Sequence, residues 1–163
     1  MINKEEIHLV QKKWGDAIVE IGRSKGHKDS CEAKTNSMLS ELYGFDYGDV
    51  LFKPTKASEK QFRLKLDAAK SYFIGGDDNF SEDSGFALNP WVNVRFENVG
   101  YNISEKVAVA MGNYFFTSPD GNETKVEYTF GYFKDRSGSL KINLHHSSFP
   151  FINASVSYTH LRA

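Results

Sequence analysis

Val107-Ala108-Val109-Ala110-Met111-Gly112-Asn113-Tyr114-Phe115-Phe116-Thr117 is a long, nearly all-apolar run with no charged residue. Its β-branched and aromatic content and its length predict a strand covered on both faces. Ser118-Pro119-Asp120-Gly121-Asn122 then supplies a strong turn, and Lys125 to Phe133 alternates apolar and polar residues through Val126, Tyr128, Phe130 and Tyr132. Asp135-Arg136-Ser137-Gly138 turns the chain again. A last strand follows, with Leu140, Ile142, Leu144, His146 and Ser148 on one face and Lys141, Asn143, His145 and Ser147 on the other. Upstream, Val92, Val94 and Phe96 alternate with Asn93, Arg95 and Glu97. The second half of the chain therefore reads as an antiparallel meander.

The first half has a different period. Asn3 before Lys4-Glu5-Glu6 reads as a helix cap with acids in the first turn, where they oppose the positive end of the helix dipole. Ile7, Val10, Trp14, Ala17, Ile18 and Ile21 continue it at helical spacing, ending near Gly22 to Gly26. A second helix after Asp29 carries Ala33, Met38, Leu39 and Leu42 inward and stops at Tyr43-Gly44. Val50-Leu51-Phe52 is a short strand closed by Pro54. From Ser58 the spacing of Phe62, Leu66, Ala69 and Phe73 predicts a third helix, ended by Gly75-Gly76. Residues 77 to 90 read as an irregular loop. Helices first and a meander afterwards define an α+β fold, with the helices packed on one side of a curved antiparallel sheet. Residues 1 to 155 are expected to form one domain. Residues 156 to 163 read as a tail foreign to it, resembling a translated adapter sequence.

Charge and composition exclude several functions. The 20 basic and 21 acidic residues nearly cancel among 163, with no long run of one sign, so no surface for nucleic acid or an anionic membrane is expected. The single cysteine, Cys31, excludes an internal disulfide and a multi-thiolate zinc site. No secretory leader or apolar span is apparent, and the chain reads as cytoplasmic, with a periplasmic or organellar location if the start is truncated.

The densest polar cluster in an apolar setting is Leu144-His145-His146-Ser147-Ser148-Phe149-Pro150. Alternation from Leu140 and Ile142 turns His146 and Ser148 toward the core, where a His and a Ser two residues apart can share one small ligand. His145 and Ser147 have the same spacing and face outward on this reading. Thr55 and Tyr72 bring hydroxyls to the border of the core, where each needs a partner or a cavity. Ser81-Glu82-Asp83-Ser84 reads as a solvated acid pair, and Gly75-Gly76 lacks the Lys-Ser/Thr of a phosphate loop.

Several blocks resemble the iota-class carbonic anhydrases. They are Trp14-Gly15-Asp16, Leu51 to Ala57, Phe62-Arg63, Ser71-Tyr72-Phe73, Gly75-Gly76, Glu82-Asp83, Gly85-Phe86-Ala87, Pro90-Trp91, Val94 to Asn98, Ala110 to Tyr114, Lys125 to Tyr132 and the His-His-Ser-Ser-Phe-Pro run. More distantly the layout is similar to the association domain of calcium/calmodulin-dependent kinase II. The resemblance implies the cone-shaped nuclear-transport-factor-2-like (SnoaL-like, cystatin-like) roll and reversible hydration of carbon dioxide to bicarbonate. It implies as site residues Thr55, Tyr72 and a His-x-Ser pair from the last strand, which alternation assigns to His146 and Ser148, with His145 and Ser147 as the other pair. The rival reading is a non-catalytic oligomerisation or ligand-binding module. A homodimer at least is expected from the outer sheet face, to which Phe133 and Phe149 would add apolar surface. No metal is expected, with zinc and manganese as the alternatives to test. The histidines, His8, His27, His145, His146 and His160, are few, and adjacent histidines on a strand face opposite ways.

Overall fold

The computed structural model describes residues 1–153, so the 156–163 tail and His160 lie outside the described residues. Helix α1 spans Lys4–Arg23 and opens with a capping box, in which the Asn3 side chain accepts from the Glu6 amide at 2.9 Å and the Glu6 carboxylate accepts from the Asn3 amide at 3.1 Å. Its buried stripe is the predicted one, from Ile7 through Trp14 to Ile21. Helix α2 spans Lys28–Leu42 and buries Cys31, Thr35, Met38, Leu39 and Leu42. Ala33 is exposed, contrary to expectation; Thr35 takes the inward position because its hydroxyl is satisfied on the Cys31 carbonyl at 2.8 Å.

The third helix is shorter than its periodicity predicts. Helix α3 covers only Leu66–Ile74, and Phe62 is 66% exposed. The cause is the acid pair that reads as solvated in the sequence. The Glu82 carboxylate accepts from the amides of Ser58 at 2.8 Å, Glu59 at 3.2 Å and Lys60 at 2.8 Å, holding residues 58 to 60 in a loop. Those bonds push its pKa down to about 2, the Lys60 amide contributing most. Asp83 accepts two bonds from the fully buried Arg63 guanidinium, both at 2.8 Å, and a third from the Ser71 hydroxyl at 2.6 Å. The acids therefore staple the loop to α3.

The sheet is mixed, with order β1-β5-β4-β3-β2. Strand β1, Leu51–Lys53, lies parallel to β5, Leu140–Ser148, while β2 (Asn93–Ile103), β3 (Val107–Thr117), β4 (Glu123–Lys134) and β5 form the predicted antiparallel meander. Among the described residues, helices pack on only one face. Ala108, Ala110, Tyr114 and Phe116 of β3 point into the core, while Val107 and Met111 are 53% and 56% exposed on the other side. The expectation that β3 is covered on both faces is thus corrected for the described residues. Gly112 allows β2 to approach, since a Cβ there would lie 2.1 Å from the Glu97 carbonyl oxygen.

One irregularity in β5 decides the site. Gly131 of β4 pairs with Leu144 but Tyr132 pairs with Ile142, leaving Asn143 as an extra residue in β5. This bulge shifts the alternation by one position, which exchanges the two faces for everything beyond it. Leu140 and Ile142 face the core, and so do His145 and Ser147, at 2% and 1% exposure. His146 is exposed, and Ser148 donates from the outer face to Glu127 at 3.2 Å. The expected inward orientation of His146 and Ser148 is therefore reversed. Gly131 accommodates the bulge, because a Cβ there would meet the Asn143 side chain at 2.9 Å and Leu144 Cβ at 2.8 Å.

Candidate active site

Parallel pairing sets Phe52 beside His145, and Pro54 then turns the chain so that the Thr55 hydroxyl reaches the Ser147 hydroxyl at 2.6 Å. Lys53 bonds the Ser147 carbonyl at 3.1 Å, with its pKa pushed down by partial burial. From β3, the Tyr114 hydroxyl contacts Ser147 Oγ at 2.5 Å and His145 Nε2 at 3.1 Å. From the end of α2, the Tyr43 hydroxyl contacts His145 Nδ1 at 2.8 Å and accepts from the Trp14 indole at 2.9 Å. Tyr72, on α3, accepts from the Lys56 amide at 3.2 Å.

The His145 ring is stacked between Phe130, centroids 4.1 Å apart, and Phe52, 4.7 Å apart. Burial pushes its pKa well below 6.5, and neighbouring His146 adds to the shift. Burial also raises the phenols of Tyr43, Tyr72 and Tyr114 well above their ordinary range. At neutral pH the cluster is therefore uncharged. Thr55, Tyr72, Tyr114, His145 and Ser147 line a small cavity walled by Trp14, Phe52, Pro54, Phe73 and Phe86, with about 10 Å³ open to the centre of a water molecule. One water needs about that much. Tyr72 and Phe86 also face a wider cleft lined by Lys56, Glu82 and Asn89, so they form the partition between cavity and solvent.

Of the predicted site residues, the structure gathers Thr55, Tyr72, His145 and Ser147 around one cavity and leaves His146 and Ser148 on the opposite face of the sheet, beside Met111 and Glu127. Tyr114, Tyr43 and Trp14 join the site in the structure without a sequence motif that marks them as its neighbours. Alternation from Ala108 and Ala110 was the available signal for Tyr114; Tyr43 and Trp14 read only as a helix end and a core residue. Among the described residues no three His, Cys, Asp or Glu side chains converge as a metal ion would require.

Among the described residues, three helices on one face of a five-stranded sheet, with a cavity between them, make an α+β fold of the nuclear-transport-factor-2-like type. The fold is shared with a nuclear-transport-factor-2-like protein from Pseudomonas putida KT2440, at a TM-score of 0.59 and 14% identity over 93% of this chain and 89% of that one. It is also shared with a protein from Xanthomonas campestris described as a calcium/calmodulin-dependent protein kinase II association domain, at a TM-score of 0.57 and 22% identity over 92% and 89%. The profile of the metal-independent carbonic anhydrases matches residues 5–149. A metal-independent carbonic anhydrase of Nostoc sp. (strain PCC 7120) is 39% identical over 153 residues, which are 92% of this chain and 75% of that protein. The crystal structure of a cyanobacterial iota-carbonic anhydrase complexed with bicarbonate superposes with a TM-score of 0.89 at 39% identity, covering 93% and 94% of the two chains. The chain belongs to the metal-independent carbonic anhydrase family. Its activity is the hydration of carbon dioxide without a metal cofactor.

Proposed function

We propose that carbon dioxide and bicarbonate bind beside Thr55, Tyr72, His145 and Ser147, where the small cavity these residues line widens toward the cleft behind Tyr72 and Phe86 to admit them, and that these residues carry the reaction. The observation that supports this most directly is an uncharged, hydrogen-bonded cluster of hydroxyls and one imidazole set among the aromatic side chains that wall one small cavity. Apolar walls suit a neutral, linear substrate. The water oxygen bonds to carbon, one C=O electron pair moves onto oxygen, and the water proton passes to solvent. Negative charge then develops on the carboxylate oxygens, where prepositioned hydroxyl donors in a dry site stabilise it with little reorganisation. Bicarbonate in the crystal of the cyanobacterial relative is consistent with this substrate class. The test is broadening of the carbon-13 bicarbonate line by carbon dioxide exchange. Wild type and His146→Ala should broaden it and Ser147→Ala should not; equal broadening by all three would overturn the assignment.

We also propose at least a homodimer through the sheet face on which no helix packs among the described residues. Val99, Val107 and Met111 are more than half exposed there, and Val109 is 38% exposed. Phe149 remains 45% exposed as expected, whereas Phe133 packs edge-on against Tyr47 and adds less apolar surface. Light scattering that returns the mass of one 18.4 kDa chain at all concentrations would refute it.

A further inference from the structure

Proton bookkeeping along the buried cluster gives it a direction. The Trp14 indole can only donate, and it donates to the Tyr43 oxygen at 2.9 Å. The Tyr43 proton then needs an acceptor, and the remaining polar contact of that hydroxyl is His145 Nδ1 at 2.8 Å. His145 is neutral, so with Nδ1 accepting, its one proton sits on Nε2 and is donated to Tyr114. Tyr114 in turn donates to Ser147, and Ser147 to Thr55. The opposite tautomer would leave the Tyr43 proton buried without a partner in a protein whose described residues hold no other unpaired buried side-chain polar atom. That cost biases the tautomers by roughly tenfold to a hundredfold.

We infer that Trp14 and Tyr43 are positioning residues that lock His145 in its Nε2-protonated form, so that the hydroxyl chain ends at Thr55 with a proton directed to the cavity. This inference rests on the proposed site. It adds that His145 polarises a row of donors toward the developing anion and does not take the proton of the attacking water through Tyr114, Ser147 and Thr55. The device is built from distant elements: the start of the chain through α1, the end of α2, where Tyr43 bridges Ile142, and the bulged strand β5.

The direct test is the nitrogen-15 spectrum of the His145 ring in the whole protein at neutral pH. A bare Nδ1 and a protonated Nε2 are expected; a protonated Nδ1 in an active enzyme would overturn the inference while leaving the site assignment intact. Tyr43→Phe removes the acceptor for Trp14 and the donor to Nδ1. It should give mixed tautomers and a loss of about tenfold to a hundredfold in kcat, as losses of supporting hydrogen bonds do elsewhere, with KM little changed. Wild-type kcat with an unmixed Nε2 tautomer in that variant would also overturn it. If Tyr43→Phe fails to fold, the wild-type spectrum decides alone. Absence of hydration by the folded wild type would instead strike the reading of the site.

Discussion

The hydroxyls of Thr55 and Ser147 lie 2.6 Å apart across 92 residues of sequence, joined by the parallel pairing of β1 with β5. These hydroxyls lie on the cavity wall, as does that of Tyr72, so removing one while keeping the rest of the wall should act mainly on rate. Thr55→Ala and Tyr72→Phe should each lower kcat by about ten- to a thousandfold, with thermal midpoints near wild type. Stopped-flow hydration with parallel melting curves checks this; full rates in both variants would remove the hydroxyls from the site.

The bulge at Asn143 makes a paired prediction. His146→Ala and Ser148→Ala alter the outer face and should leave hydration within about twofold of wild type, as surface changes usually do. His145→Ala removes an imidazole stacked between Phe52 and Phe130 and should abolish activity and lower stability together. Inactivity of a well-folded His146→Ala would place the site on the other face.

The buried ion pair of Arg63 and Asp83 should be structural. Both side chains are almost fully buried, and Asp83→Ala leaves the guanidinium without its carboxylate, a change that costs about 3–5 kcal/mol in such pairs. Urea denaturation measures it. A loss below about 1 kcal/mol would show that Glu82, 3.6 Å from Arg63, compensates.

Stability should fall in mild acid because His145 is buried neutral. Its folded pKa lies well below 6.5, so below about pH 6.5 the unfolded chain takes up a proton that the folded chain refuses. Unfolding is then favoured as pH falls, by up to about 1.4 kcal/mol per pH unit until the folded pKa is reached. Above pH 6.5 this contribution is constant. Denaturation midpoints between pH 7.5 and 5 should show the slope in wild type and lose it in His145→Gln; equal slopes would contradict a neutral His145.

Much of the fold was legible in local pattern. The α1 stripe and its Asn3 cap, the turn at 118–122 and the alternation of β4 are all short-range signals, and each reads correctly in the structure. The family blocks carried Thr55 and Tyr72 to the cavity wall. What failed did so through non-local contacts. Residues 58 to 65 have helical spacing, but Ser58, Glu59 and Lys60 give their amides to Glu82, 22 to 24 residues away. The phase of β5 depends on one unpaired residue, Asn143, opposite a glycine on β4, and no period-2 pattern reveals where such an insertion falls. Hence the His-x-Ser pair that alternation points inward, His146 and Ser148, is the outward one. Tyr43 becomes a neighbour of His145 only when α2 docks on β5.

The measurement closest to the central claim is hydration by protein stripped with chelator, its residual metal read by mass spectrometry, compared with stripped Ser147→Ala. The account predicts an unchanged rate for stripped wild type and a drop of about ten- to a thousandfold for the variant, which stays folded with a melting temperature lowered by a few degrees as the buried Tyr114 proton loses its acceptor. A wild-type rate that vanishes on stripping and returns with zinc or manganese, or a fully active Ser147→Ala, would contradict it.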